Sequence, residues 1–413
     1  SMRDHNKLID TPAAADQPWL GHKDWASATI RSDAKATFYM AWVFTLFWNL
    51  ISSPVLFAIP DELDKGNHAI LLAALFPAVG LGLLLWAIKV TRRWRAIGAT
   101  PLTLDPYPGS IGGQVGGSIE TNLHYSGGQK FPVTLSCLYS YMSGSGKNRK
   151  RTENVKWSAE GFARAEPYRR GSRLQFCFDV PEGLHPSEHK GASYHLWRLN
   201  LKSEGAAIDI DRNFELPVFA TAEPSRHFRV DSASHPLAEE AVDKRIDAVM
   251  AMRQTANGLE LDFPVGRNAG VNSGITAVGL LFFGGGMTAG YLGAPLPLTV
   301  IFGLIGGGIA LGGLYSLANS LHVRVGKQGV ETRRTLLGII ISKAAASASE
   351  VRKLRIHRTG SITSGSNHKV FFAIRAHLRN GKKITLAESL IGQAAADQVA
   401  EALAFYSGFE LDK

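Results

Sequence analysis

The residues most able to do chemistry lie in one short segment, where His185 and His189 flank Glu188 in the pattern H-x-x-E-H. On a helix this spacing places both imidazoles around one zinc ion and leaves the glutamate to act as a base. Here Pro186 follows the first histidine, and Gly191 lies just beyond the motif. Proline and glycine at these positions indicate a loop. The segment therefore predicts a polar turn without a metal, and not a peptidase site.

A second candidate is the run Ser-Gly-Ser-Gly-Lys at residues 143–147. A phosphate-binding loop of this kind needs glycine at the position of Tyr141 and serine or threonine at that of Asn148. Because neither requirement is met, no nucleotide site is predicted. The basic residues here lie at the tip of a predicted hairpin loop, where they meet solvent, anionic lipid headgroups or a protein partner. These residues are Lys147, Arg149, Lys150 and Arg151.

The C-terminal region 322–413 holds most of the positive charge. Its 15 Lys and Arg against 7 Asp and Glu give a net charge of +8, of the +10 for the whole chain. At a cytoplasmic membrane surface this charge would attract anionic lipid. Nucleic acid is a weaker alternative, because no aromatic–basic interleaving or known nucleic-acid motif is present. The candidate lipid or partner contacts are Arg352, Lys353, Arg355, Lys382 and Lys383.

The elements that carry these residues are attached to long uncharged segments. Residues 37–59 and 69–88 contain no Asp, Glu, Lys, Arg or His, and about 20 mostly apolar residues cross the hydrocarbon core of a bilayer. Buried core helices are the alternative interpretation, but the length and the lack of charge favour membrane spans. Residues 36–90 are therefore predicted to form a first transmembrane hairpin.

A third uncharged stretch runs from residue 268 to 321, with Pro295 and Pro297 near its middle. It is too long for one span and predicts a second transmembrane hairpin at 271–321. Small residues let two helices approach closely, either within this hairpin or between copies of the chain. The candidate packing positions are Gly285, Gly286, Gly290, Gly303, Gly307 and Gly308.

Lysine and arginine near the span ends predict the orientation. Arg92, Arg93 and Arg95 follow the first hairpin and Arg324 follows the second, whereas the loop at Gly293 has no charge. Because cytoplasmic loops are rich in these residues, the tail 1–35, the middle region and the C-terminal region are all predicted to be cytoplasmic. Two cysteines without a disulfide framework suit that compartment.

The region 97–222 shows short runs of alternating apolar residues separated by Gly and Pro, which indicates an antiparallel β-sandwich. A strand at 173–180 runs into a turn at Pro181, a Pro-Ser loop at Pro186 and a strand at 194–201 carrying Trp197. This layout resembles the arrestin-type sandwich, and the resemblance covers about 120 residues.

Residues 223–267 predict a connector, with a helix at 236–254 and a strand at 259–263. In region 322–413, strand patterns surround an Asn380-Gly381 turn signal, and a helix is predicted at 392–406. Strands closed by one helix, directly after a pair of spans, resemble the pleckstrin-homology-like domains of bacterial membrane proteins. That resemblance implies a location in the bacterial inner membrane.

Three hypotheses of function follow. The first is a membrane-anchored scaffold or adaptor, which presents β-rich cytoplasmic domains to a protein partner or to anionic lipid. The second is a channel or transporter component formed by self-association of the glycine-rich spans. The third is an enzyme, but no nucleophile, metal or cofactor set stands out in the sequence. The first is favoured, because more than half of the chain is β-rich domain without a catalytic pattern.

Overall fold

Each of the two units of the chain combines β-sheets with one pair of long apolar helices. A computed structural model describes residues 17–66, 73–144, 149–204, 209–228, 231–293, 295–364 and 367–412. The units span residues 1–239 and 240–413. The α-helices are α1 (Ala34–Asp64), α2 (Leu75–Ile97), α3 (Pro236–Asp247), α4 (Ala269–Tyr291), α5 (Leu296–Ala318) and α6 (Gln393–Ser407), and short 3-10 helices cover Pro18–Gly21 and Ser232–Ser234.

Four of the described helices, α1, α2, α4 and α5, are long and apolar enough to cross a membrane. Large apolar side chains cover their outer surfaces: Phe57 is 80% exposed and Leu304 is 73% exposed. Such surfaces are unfavourable in water and suit hydrocarbon. The four predicted spans are therefore confirmed as helices that fit a membrane protein. The start of the second span, at Ala69, lies outside the described residues.

The first unit holds two large sheets that share one hydrophobic core, as in a β-sandwich. Their strand orders are β1-β2-β4-β8-β7 and β10-β9-β5-β6. Alternation along β9 turns Trp197, Leu199 and Leu201 into the core, where all three are fully buried. The finer assignment to the arrestin type stays a prediction. The strands are β1 (Thr29–Ile30), β2 (Leu102–Leu104), β3 (Gly109–Ser110), β4 (Gln114–Thr121), β5 (Pro132–Ser143), β6 (Lys150–Phe162), β7 (Arg164–Tyr168), β8 (Gly171–Asp179), β9 (Ser193–Lys202), β10 (Asp211–Leu216) and β11 (Val218–Phe219).

The first helical hairpin is an insertion between two paired strands. Strand β1 precedes α1, strand β2 follows α2, and the two strands pair antiparallel, with Ile30 opposite Leu102. The amide of Asn122 donates to the carbonyl of Ile97, the last residue of α2. Asp33, just before α1, accepts hydrogen bonds from the backbone and side chain of Asn213 on β10. Both ends of the hairpin are therefore fixed to the sandwich.

The second unit repeats this arrangement. Its sheets have the orders β12-β13-β14-β15-β16 and β19-β18-β17-β20. The helical hairpin α4–α5 connects β13 to β14, which pair antiparallel with Phe263 opposite Leu321. The strands are β12 (Ala251–Thr255), β13 (Gly258–Phe263), β14 (Asn319–Gly326), β15 (Gly329–Leu336), β16 (Ile339–Ser347), β17 (Val351–Ser364), β18 (Asn367–Leu378), β19 (Lys383–Ile391) and β20 (Leu411–Asp412).

The segment before the second hairpin therefore belongs to the C-terminal unit. Helix α3 ends at Asp247, whereas the sequence pattern extended it to residue 254, because the chain turns to form β12 and pairs Thr255 with Gly258. Residues of α3, of both sheets and of the final helix α6 share one core, which includes Ile246, Leu261 and Leu403. The assignment to the pleckstrin-homology-like domains stays a prediction.

Candidate functional site

His185, Glu188 and His195 bring three side chains of metal-binding type together in the first unit. Their ligand atoms all lie within 4.8 Å of one another. The loop carrying His185 and Glu188 is fixed to β9, because the amide of Glu188 donates to the carbonyl of His195 at 2.9 Å. In return, the carboxylate of Glu188 accepts a hydrogen bond from the amide of His195 at 2.6 Å and lies 3.1 Å from its ring Nδ1.

The arrangement of these groups favours hydrogen bonding between Glu188 and His195 over a metal site. Two imidazoles and a carboxylate are donors that Zn²⁺ accepts. The rings of His185 and His195 stack, however, with centroids 4.1 Å apart and planes at 12°, so one ring must rotate before both could bind one ion. Partial burial alone would raise the pKa of Glu188, but the hydrogen bonds from His195 outweigh this effect and lower the pKa. The carboxylate is therefore held in its charged form.

In the structure, the second histidine beside His185 and Glu188 is His195 and not His189 of the sequence motif. His189 lies apart from Glu188 and stacks on His22, with ring centroids 5.7 Å apart. His195 takes its place beside His185, because strand β9 returns along the loop. The segment is a loop, as its proline and glycine predicted. His195 carried no sequence signal, since it lies outside the motif.

The largest accumulation of charge lies on one face of the sheet formed by β17, β18 and β19. On β17, Leu354 is buried in the core, so its neighbours Lys353 and Arg355 lie on the opposite face. Lys353 is paired in register with His377 on β18, which is paired with Lys383 on β19. We call this surface the basic sheet face, and its residues are Lys353, Arg355, His357, Arg375, His377 and Lys383.

Two histidines lie among these cations. The Nε2 atoms of His357 and His377 are 2.7 Å apart, and their rings stack. Partial burial and the charges of Arg375 and Lys383 lower the pKa of each histidine, so the pair is neutral near pH 7. Asp412 on β20 lies 2.5 Å from the Lys353 ammonium and 3.5 Å from Arg355 Nε. Even with this carboxylate, the face keeps an excess of positive charge.

The structure gathers some predicted contact residues and separates others. Lys353, Arg355 and Lys383 lie together on the basic sheet face. Arg352 and Lys382 are exposed beside it, at a bulge and in a turn. Arg375, His357 and His377 were missed by the sequence analysis, because only the strand register brings them next to the predicted lysines. The sequence signal that could have identified them is their spacing at alternate positions along the predicted strands.

The basic tip of the first unit lies on the β5–β6 hairpin. Arg149 and Lys150 are exposed there. Arg151 donates to Ser140 Oγ and to the carbonyl of Gly191, both at 3.0 Å, and its guanidinium lies 5.1 Å from the ring centroid of Tyr194. Arg151 is therefore partly engaged in holding the sandwich. Lys147 lies outside the described residues.

A buried polar cluster joins the second helical hairpin to its sheets. The Arg267 side chain is 4% exposed; it donates to Asn319 Oδ1 at 2.6 Å and pairs with Glu388. Arg334 donates to the two carboxylate oxygens of Glu388 at 2.9 and 2.6 Å, and these bonds raise the pKa of Arg334. The cluster connects the start of α4, the end of α5 and strands β15 and β19.

The glycines of α4 and α5 fall into two groups. A Cβ added to Gly286 would meet Phe302 Cβ at 2.8 Å, and one at Gly290 would meet Thr299 Cγ2 at 2.5 Å. These two glycines therefore permit close contact between α4 and α5. At Gly285, Gly303 and Gly308 an added Cβ would meet no described atom within 4 Å; at Gly307 it would meet Phe283 Cδ2 at 3.5 Å. This second group is open to lipid or to another molecule.

Comparison with known proteins gives little further information. No family model matches the chain, and no curated protein matches it. The chain is similar to the crystal structure of Spo0M, the sporulation control protein from Bacillus subtilis, with 12% sequence identity and a TM-score of 0.20. The match covers 60% of this chain and 89% of that chain. A TM-score this low supports no conclusion about the fold or function of this chain.

Proposed function

We propose that this chain is a membrane-anchored adaptor, which binds an acidic segment of a partner protein on the basic sheet face of its second unit. The excess of positive charge on this face, drawn from three neighbouring strands, is the observation that carries the proposal. The strand register fixes the backbone positions of these lysine and arginine residues, so no backbone entropy is lost when they bind carboxylates. The charge pattern of the sequence predicts that this face is cytoplasmic.

The position of the face supports a protein partner over a lipid one. Glu388 on β19 pairs with Arg267, which lies just before α4. Lys383 lies five residues earlier on the same strand, about 16 Å away. The basic sheet face is therefore centred on the end of β19 remote from the helices. If α4 and α5 cross the bilayer, lipid headgroups are less accessible to this end than to the other.

The basic tip of the first unit supports the same interpretation. The chain next to β10 contacts the base of the first hairpin, because Arg93 in α2 pairs with Asp209 at 3.3 Å. Pro132 begins β5 on that side, and the strand runs to Ser143 at the tip. That length is about 35 Å. Arg149 and Lys150 are therefore more accessible to a soluble partner than to lipid.

The proposal is tested with the full chain in nanodiscs of neutral phosphatidylcholine, with fluorescent poly-L-aspartate as the probe. We expect Lys353→Gln, Arg355→Gln and Lys383→Gln, combined in one variant, to weaken binding about tenfold, equivalent to ~1.4 kcal/mol. The binding should also weaken as salt rises, because exposed charges are screened.

The matched control removes three exposed cations from the first unit, with Lys23→Gln, Arg164→Gln and Arg170→Gln in one variant. It has the same net charge as the test variant and should change the affinity less than about twofold, since these three residues are not part of the basic sheet face and exposed charges contribute little individually. Equal losses in both variants would mean that the probe senses net charge alone. If only binding to added anionic vesicles is lost, the face binds lipid and the adaptor proposal fails.

A further inference from the structure

The tip of the β15–β16 hairpin is an exposed apolar surface in the second unit. Its residues run Leu-Leu-Gly-Ile-Ile-Ile from 336 to 341. Leu337 is 80% exposed and Ile339 is 72% exposed, and Ile340 and Ile341 are also exposed. Single exposed apolar residues are common, but a contiguous patch of this kind marks an interaction surface. We call this segment the apolar tip.

The turn at the apolar tip makes its composition more unusual. Leu336 pairs with Ile339, so Leu337 and Gly338 form a two-residue turn in which both φ angles are positive, at 50° and 84°. Turns of this geometry favour asparagine or aspartate before the glycine, because these residues tolerate the left-handed region. A leucine here is unfavourable both for the backbone and for contact with water. An apolar environment around the side chain would compensate.

The apolar tip lies beside the point where α5 ends. Leu336 is paired in register with Asn319, the first residue after α5. The amide of Leu337 donates to the carbonyl of Ala318, the last residue of α5, at 3.2 Å. The tip is therefore continuous with the apolar surface of the helical hairpin. If α4 and α5 cross a bilayer, the tip stands at the boundary where they leave it.

Cations follow the apolar tip at the spacing that a membrane surface requires. Arg333 on β15 and Lys343 on β16 lie directly opposite each other, and both are exposed. Arg333 is three residues before Leu336, about 10 Å along the strand. Interfacial segments place their apolar residues about 5–10 Å into the boundary between headgroups and acyl chains, with cations among the headgroups.

From this combination we infer that the apolar tip inserts into the leaflet next to the base of α4 and α5. It forms a third, shallow membrane contact in addition to the two helices. The tip, the end of α5 and the buried cluster around Arg267 would then fix the height and tilt of the second unit on the membrane. A second protein surface is the alternative occupant, and the test below separates the two.

The test uses the full chain at one copy per nanodisc, with an environment-sensitive fluorophore on a cysteine introduced by Leu337→Cys or, in a second variant, Ile339→Cys. Cys137 and Cys177 are buried, and burial raises the pKa of their thiols to about 11 and about 12. A maleimide near neutral pH therefore reacts with the introduced cysteine in preference to them. Quenching is measured with lipids carrying a nitroxide near the headgroup end of the acyl chain and with aqueous iodide.

Gln328→Cys is the matched control, because Gln328 is exposed in the turn at the opposite ends of β14 and β15. We expect the fluorophore at 337 or 339 to be quenched by nitroxide lipid and protected from iodide, and the one at 328 to show the reverse. Iodide quenching at all three positions would overturn the inference. Protection from iodide without nitroxide quenching would also overturn it, since the tip would then be covered by protein.

Discussion

Arg267 and Glu388 form an ion pair across 121 positions of the sequence, at the base of the second helical hairpin. Arg267 is almost fully buried, and its remaining hydrogen bonds go to Asn319 and to backbone carbonyls of the same region. A guanidinium in this setting is stable only while its partners stay in place. The pair therefore couples the start of α4 to the last strands of the sheet.

Removing Arg267 should destabilise the second unit strongly. For Arg267→Ala we expect a loss of at least about 2 kcal/mol, because the buried carbonyls of Phe263 and Asn319 lose their hydrogen bonds from the guanidinium. Glu388 keeps its pairing with Arg334. Urea unfolding of the full chain in nanodiscs, followed by proteolysis, measures the change. Arg324→Ala is the control: Arg324 pairs with Glu260 but is exposed, so the loss should stay below about 1 kcal/mol. Similar losses for both variants would contradict the role of the buried cluster.

The histidine pair should make binding to the basic sheet face dependent on pH. Because the pKa values of His357 and His377 are lowered in the folded protein, both are neutral at about pH 7.5 and gain charge on acidification. Poly-L-aspartate should therefore bind more tightly at about pH 5.5, where its carboxylates remain charged. The His357→Gln, His377→Gln double variant should show a smaller change. An equal pH response in this variant would mean that groups other than these two histidines cause the effect.

The lowered pKa values of His357 and His377 affect stability in the opposite direction: acidification should strengthen binding but reduce stability. With a folded pKa below the ordinary value of about 6.5, the unfolded chain binds more protons than the folded chain as the pH falls through that value. The contribution of the pair to stability is therefore present above about pH 6.5 and is lost below it. Urea unfolding of the second unit at several pH values should show this loss in the wild type and a smaller one in the double variant.

The two groups of glycines predict two different effects of leucine. Gly306→Leu should disrupt the α4–α5 hairpin, because an added Cβ would meet the backbone nitrogen of Phe283 at 2.3 Å. Gly308→Leu should leave the hairpin intact, since an added Cβ there meets no described atom within 4 Å. If copies of the chain associate through this surface, only the second variant will keep its fold and lose self-association. Light scattering in mild detergent measures this, and a strictly monomeric wild type would remove the oligomer and channel hypotheses.

Topology can be tested independently of binding. The charge pattern predicts that reporters fused after Pro60 or Gly293 lie on the periplasmic side, and that those after Arg95 or at Lys413 lie in the cytoplasm. Alkaline phosphatase and fluorescent-protein fusions report the two sides. A periplasmic signal from within 97–222 would contradict the predicted arrangement.

Local patterns were sufficient to predict the helices and most of the strands, but not their pairing. A charge-free run such as 37–59 identifies a span by length alone, and alternation along 194–201 identifies a strand. Neither pattern indicates that Ile30 lies opposite Leu102, because pairing across an inserted hairpin depends on contacts remote in sequence. Strand β16 shows that the pattern is not always present, since its residues 339–347 begin with three isoleucines and do not alternate.

The candidate sites also depend on strand pairing and on contacts between residues remote in sequence, which local patterns do not indicate. Lys353, Arg355 and Lys383 were identified from charge alone, but His357 and His377 join them only through the register of β17 and β18. Of the two histidines in the motif around Glu188, His185 lies beside the carboxylate, whereas His189 stacks on His22. The cluster of Arg267, Asn319, Arg334 and Glu388 had no sequence signal, because its members come from four separate segments.

The insertion of each helical hairpin between paired strands has a consequence for biogenesis. During translation β1 leaves the ribosome before α1 and α2, and its partner β2 follows only after both helices. If the helices cross a membrane, the sheet cannot close until the hairpin has entered it and its second helix has returned to the starting side. A hairpin that fails to return would leave β1 without its partner β2, or β13 paired on one edge only, with β12. Exposed strand edges of this kind are substrates for chaperones and proteases. In that arrangement, correct membrane integration is a precondition for folding each β-rich domain.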